Sequence, residues 1–218
     1  MSTNPLCVKG NRDLLRLILP VICFGILLEA VMGLFKFNPQ IFLPTYIGPE
    51  DGLRLRMLRL AGVAAIALPL LTLFFQGLSA RADPDSRAVR WGGIGMLYGT
   101  IGMPAVLAAA GFTRIELRAL LPVPADAILF GTLCGLWLSR QHAHPLETWG
   151  WFLIALSMGA GLLMGLYAFE APLLPPNLVG GYNDYPRRLI RLAHVYCILL
   201  GFSAIFFSRV LEKNGGKA

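Results

Sequence analysis

Six long apolar blocks are the feature that most restricts how this chain can fold. Each holds about 20 residues, the length an α-helix needs to cross roughly 30 Å of hydrocarbon. Inside lipid every backbone polar group must be satisfied within its own segment, so such blocks predict helices rather than a β-barrel. The predicted spans are Leu14–Leu34, Met57–Leu78, Trp91–Ala110, Leu120–Leu138, Trp149–Phe169 and Leu189–Val210.

The composition places the chain outside the soluble class. Only 14% of its 218 residues are charged, whereas soluble domains carry about 25%. The connections between blocks are short, so we predict an all-α integral membrane protein with six transmembrane helices, forming a single membrane domain over residues 1–218. The net charge of +7 does not indicate a nucleic-acid partner, because Lys and Arg cluster at block ends, where they meet lipid headgroups.

The orientation in the membrane is only weakly encoded. Lys9, Arg12 and Arg16 precede the first block, whose apolar run is longer than that of a typical signal peptide, so we interpret it as a retained helix. We predict a bacterial inner-membrane protein with both termini in the cytoplasm. This topology divides the 19 Lys and Arg residues into ten inside and nine outside, so the positive-inside rule hardly decides.

A shift of 132 residues superimposes the chain on itself without a gap. Residues 32–75 match residues 164–207, and the loop prolines and glycines and the two arginines of an RxxRLA motif stay in register. Apolar bias does not explain matched loop residues. We therefore predict that helices 1–2 and 5–6 form a parallel duplicated hairpin around helices 3–4. Repeat A covers 14–78, the central hairpin 91–140 and repeat B 146–210.

Small residues indicate where helices approach closely. Gly92, Gly95, Gly99 and Gly102 form one stripe along helix 3. In lipid such stripes allow close helix packing. We interpret this one as a packing surface of the bundle, with a protein or pigment interface as the alternative.

Two carboxyl groups fall inside the spans. Glu29 lies in helix 1, about two turns before the predicted end of that helix. Asp126 lies early in helix 4. Intramembrane acids are functional candidates by default. We expect Glu29 or Asp126 to pair with a repeat arginine, either as a structural ion pair or as part of a proton or ion path.

The arginine pairs Arg56/Arg59 and Arg188/Arg191 begin helices 2 and 6. Arginine binds phosphate and carboxylate through two parallel hydrogen bonds. Lipid headgroups therefore fit all four residues, and the propionates of a haem or an anionic substrate fit Arg188 and Arg191 as well.

His194 is the only histidine within a predicted span. It could ligate the metal of haem or chlorophyll, hydrogen-bond a quinone, or simply be a satisfied interfacial residue. No other span supplies a histidine as a second haem ligand. His142 and His144 form a loop HxH without further metal-ligand spacing, and none of the four cysteines forms a CxxC.

Three functions remain open, because no catalytic signature is present. The first is a non-catalytic integral subunit of a larger membrane assembly, of the electron-transfer type, with lipids and other membrane subunits as partners. The second is a small transporter or channel built on the repeated hairpins. The third is a membrane enzyme that acts on a lipid or quinone at the outer interface.

Overall fold

The computed structural model describes residues 11–37, 52–168 and 184–215. These residues form six α-helices and one short 3-10 helix, Ile115–Leu120. The α-helices are α1 (Asn11–Phe37), α2 (Leu53–Ser79), α3 (Arg87–Phe112), α4 (Pro122–His142), α5 (Pro145–Ala168) and α6 (Tyr185–Lys213).

Six helices are long and apolar enough to cross a membrane, which confirms the number of spans predicted from the blocks. This is compatible with an integral membrane protein. Most of the helices extend beyond the apolar blocks, and α6 continues to Lys213, but α4 begins at Pro122, two residues after the predicted start. Residues 38–51 and 169–183, which contain most of the predicted repeat loops, lie outside the described residues.

Contacts group the chain into two compact units. The first unit comprises residues 1–73 and 94–127, and the second comprises residues 74–93 and 128–218.

The core of the first unit includes one face of α1 and a polar contact between α2 and α3. Leu14, Ile18 and Leu28 are buried on α1 at helical spacing. The Thr72 and Thr100 hydroxyl oxygens lie 2.6 Å apart, both buried. The Thr100 hydroxyl also donates to the Leu68 carbonyl at 3.2 Å, so the polar side chains of this contact are satisfied internally.

The core of the second unit is built around glycine notches that receive aromatic side chains. A Cβ on Gly92 would lie 2.6 Å from the Phe75 ring and 2.7 Å from the Cys134 Cβ. A Cβ on Gly135 would lie 2.6 Å from the Trp151 ring, which is fully buried. These positions therefore exclude any larger residue unless the neighbouring helix shifts, as expected for close helix packing in membranes.

Helix α6 is the least buried of the six spans. Only 11% of its most apolar window is buried, against 50% for α2. Its buried residues, Gly201, Ile205 and Ser208, all lie in its C-terminal half. The N-terminal half therefore exposes most of its apolar side chains, including Leu192, Val195 and Tyr196.

Candidate functional site

His194 joins α6 to α5 through polar contacts with a single residue, Ser157. Its Nδ1 lies 2.8 Å from the Ser157 carbonyl oxygen and 2.8 Å from the Ser157 hydroxyl. The Ser157 hydroxyl lies 2.9 Å from the His194 carbonyl and donates to it, since a carbonyl can only accept. The side chain of each residue thus contacts the backbone carbonyl of the other, and Ser157 is buried.

The imidazole ring fills a notch made by Gly161, one turn beyond Ser157 on α5. A Cβ at Gly161 would lie 2.7 Å from the ring Cε1 and 3.4 Å from each ring nitrogen. Glycine is therefore the residue that leaves room for the ring in this position. The ring itself is only partly buried.

Glu29 occupies a similar notch between α1 and α2 in the first unit. Its side chain packs on Gly62, where an added Cβ would overlap Glu29 Oε1 and lie 2.9 Å from its carboxyl carbon. Oε1 is buried and has no hydrogen-bond partner in the part of the chain that the structure describes. An unsatisfied buried acceptor is costly, so this atom stands out as a candidate ligand contact.

The expected ion pairs between the intramembrane acids and the repeat arginines are not formed within the described residues. Glu29 instead faces Gly62, and Asp126 is exposed on α4. Glycine lets α1 and α2 approach closely, which places the carboxyl group against backbone rather than against a guanidinium. The arginines Arg56 and Arg191 are partly exposed, and Arg59 and Arg188 are exposed.

Arg54 has a defined role that the sequence did not indicate. Its Nη1 donates to the carbonyl of Thr113 at 2.9 Å and to that of Gly111 at 3.4 Å. Both carbonyls belong to the C-terminal end of α3, where basic side chains are favourable. Arg54 therefore caps α3, although it is only two residues from Arg56 in the sequence.

The second unit contains an ion network around a buried carboxylate, which the sequence analysis did not predict. Glu147 has no exposed surface, and its Oε1 accepts from Arg209 Nη2 at 3.0 Å and from Arg209 Nε at 3.3 Å. Its Oε2 accepts from Arg81 Nη1 at 3.1 Å. Arg81 Nη2 also pairs with Glu212 at 2.9 Å.

Arg209 reaches further, to the backbone of α2. Its Nη2 donates to the Phe74 carbonyl at 2.7 Å, and its guanidinium lies 5.2 Å from the centre of the Phe74 ring. A Cβ on Gly77 would lie 2.6 Å from Arg209 Nη1, so glycine makes room for this side chain. In the sequence, the charged residues of this network are recognisable only by their position within one turn of the end of an apolar block. Ordinary residues at the membrane interface share that position, so it did not identify the network.

His142, predicted in a loop, is the last residue of α4, and His144 lies between α4 and α5. His144 Nδ1 accepts a hydrogen bond from the Leu146 amide at 3.2 Å, at the start of α5. His142 is exposed. Within ranges 11–37, 52–168 and 184–215, no three His, Cys, Asp or Glu side chains come together as a metal-binding group.

Comparisons with known proteins do not assign the chain to a family: no family model, no curated protein and no solved structure matches it.

Proposed function

We propose that this chain is a non-catalytic integral subunit of a larger membrane assembly of the electron-transfer type, in which His194 contacts a haem, chlorophyll or quinone. The observation that carries the proposal is the contact of His194 with Ser157 and Gly161. A histidine held this firmly by its backbone-facing nitrogen is oriented for a second contact with its other nitrogen.

The exposure of α6 supports a role within an assembly. His194 lies on the least buried span, whose apolar surface is mostly exposed, and its own ring stays partly exposed where it packs on α5. A cofactor or a neighbouring subunit could approach this surface from the lipid side without disturbing the packing of the chain. Arg188 and Arg191 lie one to two turns toward the N-terminal end of α6, where they could bind headgroups or cofactor carboxylates. Arg56 and Arg59 would bind lipid headgroups in the same way at the start of α2.

The duplicated hairpin belongs to this proposal, and one backbone contact supports it. Gly25 and Ser157 are 132 residues apart, as are Gly62 and His194. A Cβ on Gly25 would lie 3.1 Å from the Gly62 carbonyl, and the Ser157 hydroxyl lies 2.9 Å from the His194 carbonyl. Each hairpin thus brings the same two positions together.

A second contact supports the duplication and shows what differs between the copies. In the first hairpin the large residue, Glu29, belongs to α1 and packs on Gly62 of α2. In the second hairpin the glycine, Gly161, belongs to α5, and the large residue, His194, belongs to α6. The positions correspond, but large and small residues are exchanged. The two copies therefore offer different chemistry from one packing arrangement, a carboxyl group in one and an imidazole in the other.

The experiment that tests the subunit proposal is purification from the native membrane in a mild detergent. The chain should co-purify with other membrane subunits in fixed proportion, and the assembly should carry an absorbing cofactor. His194→Gln should remove the cofactor signal from this subunit. His142→Gln is the matched control, because that histidine is exposed at the C-terminal end of α4. A chain that is monomeric and fully functional alone would contradict the proposal.

A transporter or channel is the second candidate, and Glu29 is the observation that favours it. A buried carboxyl oxygen without a described partner is suited to bind a transported cation or proton. The test is ion flux into liposomes that contain the purified chain. Glu29→Gln should abolish flux, while Asp126→Asn, at an exposed position, should leave it unchanged. Equal flux in both variants would exclude a role for Glu29.

A further inference from the structure

We infer that His194 supplies an electron pair from Nε2 to the metal of a tetrapyrrole, and that it does not donate a hydrogen bond to a quinone. This inference rests on the proposed function and selects the two tetrapyrroles, haem and chlorophyll, over the quinone. Ser157 is then the positioning residue, which fixes both the tautomer and the orientation of the ring.

The tautomer follows from the contact with the Ser157 carbonyl. A carbonyl oxygen can only accept, so the 2.8 Å contact with Nδ1 requires a proton on Nδ1. The Ser157 hydroxyl donates its proton to the His194 carbonyl, so its oxygen can only accept from Nδ1. In the neutral ring Nε2 therefore carries a lone pair.

A lone pair on Nε2 selects the ligand. A quinone presents carbonyl oxygens, which need a donor, and neutral His194 cannot donate from Nε2. A metal ion needs a lone pair, and metal-ligating histidines characteristically donate their other ring nitrogen to a backbone carbonyl or carboxylate. The contact between His194 and Ser157 has this form.

The residues around His194 favour a metal that is already coordinated by a macrocycle over a bare metal ion. A bare ion in a protein site needs three or four protein ligands, and no group of three such residues exists among the described residues. The iron of haem or the magnesium of chlorophyll is already held by four ring nitrogens, so one histidine is enough for a five-coordinate centre. The ring of His194 stays partly exposed, and the N-terminal half of α6 exposes most of its apolar side chains, so this region offers an apolar surface to a flat macrocycle.

The test uses the full-length chain purified in detergent and titrated with iron(III) protoporphyrin IX. We expect a His194-dependent Soret shift at one equivalent, and at least tenfold weaker binding in His194→Gln. The glutamine amide can still donate to the Ser157 carbonyl, so this variant should preserve the helix contact. His142→Gln is the matched control and should bind like the parent chain. Metal-free protoporphyrin IX should show no His194-dependent binding, because it offers no metal.

Two further variants separate ligation from packing. His194→Gly removes the ring, and added imidazole should restore the Soret shift by entering the vacated space. Ser157→Ala keeps the carbonyl that accepts from Nδ1 and removes only the hydroxyl, so it should weaken iron-porphyrin binding by at most about tenfold, the lower end of outer-shell effects. It should also shift the iron–histidine stretching band of the reduced complex, a signal that a merely structural residue would not move.

Contrary results are equally specific. Binding of iron porphyrin that is the same in the parent chain and His194→Gln would overturn the inference, as would a short-chain quinone whose binding requires His194. Neither result would affect co-purification with membrane subunits. A failure here is thus distinguishable from a failure of the proposed function, which would show as a chain without partners.

Discussion

Glu147 carries a formal charge at a position with no exposed surface, and both of its carboxylate oxygens are occupied by arginine. A buried charge is tolerated only when it is paired and hydrogen-bonded. Its place in the first turn of α5 adds a favourable interaction with the helix dipole. Removal of the carboxylate would leave the guanidinium groups of Arg209, which is partly buried, and Arg81, which is exposed, without the acceptor that they share.

We predict that Glu147→Ala destabilises the chain strongly. Breaking a buried ion pair from one side typically costs about 3–5 kcal/mol. The thermal unfolding midpoint of this variant in detergent should therefore be lower than that of the parent chain. The midpoint of Glu147→Gln should be lowered less, because glutamine keeps one acceptor oxygen. Glu116→Ala, at an exposed position on the 3-10 helix, is the control and should be unchanged. Equal midpoints for Glu147→Ala and the control would show that the network contributes nothing.

At the residue scale, sequence reasoning identified His194 but not its partners. A histidine within an apolar span is conspicuous by itself, whereas Ser157 and Gly161 are ordinary residues in a membrane helix. Their importance appears only when α5 and α6 are brought together. Glu147 was missed for a related reason: its two arginines are 66 and 62 residues away, and nothing in the sequence pairs them.

Helices α5 and α6 are held together by a reciprocal glycine contact. A Cβ on Gly150 would lie 2.7 Å from the Gly201 carbonyl, and a Cβ on Gly201 would lie 2.8 Å from the Gly150 carbonyl. Backbone atoms cannot rotate away as a side chain can. The two helices would therefore have to separate to accept any larger residue, and α6 has few other buried residues to hold it in place.

We predict that Gly150→Ala and Gly201→Ala each destabilise the hairpin by about 1–3 kcal/mol, the usual cost of overpacking. Gly159→Ala on the same helix is the matched control, because nothing lies within 4 Å of its added Cβ. It should be neutral or slightly stabilising, since alanine favours helices over glycine by up to about 1 kcal/mol. The measurement is thermal unfolding in detergent, and a Gly159→Ala loss as large as the others would refute the close contact.

At the element scale, the number and approximate position of the helices followed from the sequence. Hydrocarbon thickness fixes the length of a span, so apolar blocks of sufficient length identify it. Helix ends were less well predicted, because α6 continues through polar residues to Lys213. The pairing of helices could not be read from hydropathy, since lipid-facing and helix-facing residues are equally apolar.

For the molecule as a whole, the proposed duplication makes a constructive prediction. Installing Glu29→Gly and Gly62→His together would give the first hairpin the histidine and the notch glycine of the second. Gly25 is kept, because an added Cβ there would lie 2.9 Å from the Ala65 Cβ. If the hairpins are equivalent, this double variant should bind two equivalents of iron porphyrin instead of one. Gly62→His alone should still bind one, because Glu29 occupies the space that the ring needs. One equivalent for the double variant would argue that the hairpins differ in more than these side chains.

The near balance of basic residues has a consequence for how the whole chain inserts. The proposed six-span topology puts both termini on the cytoplasmic side, which would then hold ten of the 19 Lys and Arg residues. Because basic residues near span ends set orientation, a margin of one residue is easily reversed. Neutralising Lys9, Arg12 and Arg16 to Gln would leave seven basic residues inside against nine outside.

We therefore predict that this triple neutralisation produces a mixture of both orientations in the membrane. Reporter fusions to each terminus, one active only in the cytoplasm and one only outside it, would measure the two populations. Neutralising Arg114, Arg118 and Lys36 instead should strengthen the parental orientation, since the proposed topology assigns these residues to the opposite side. Termini that report from opposite sides would contradict the six-span topology, and an unchanged single orientation would show that the N-terminal charges do not set it.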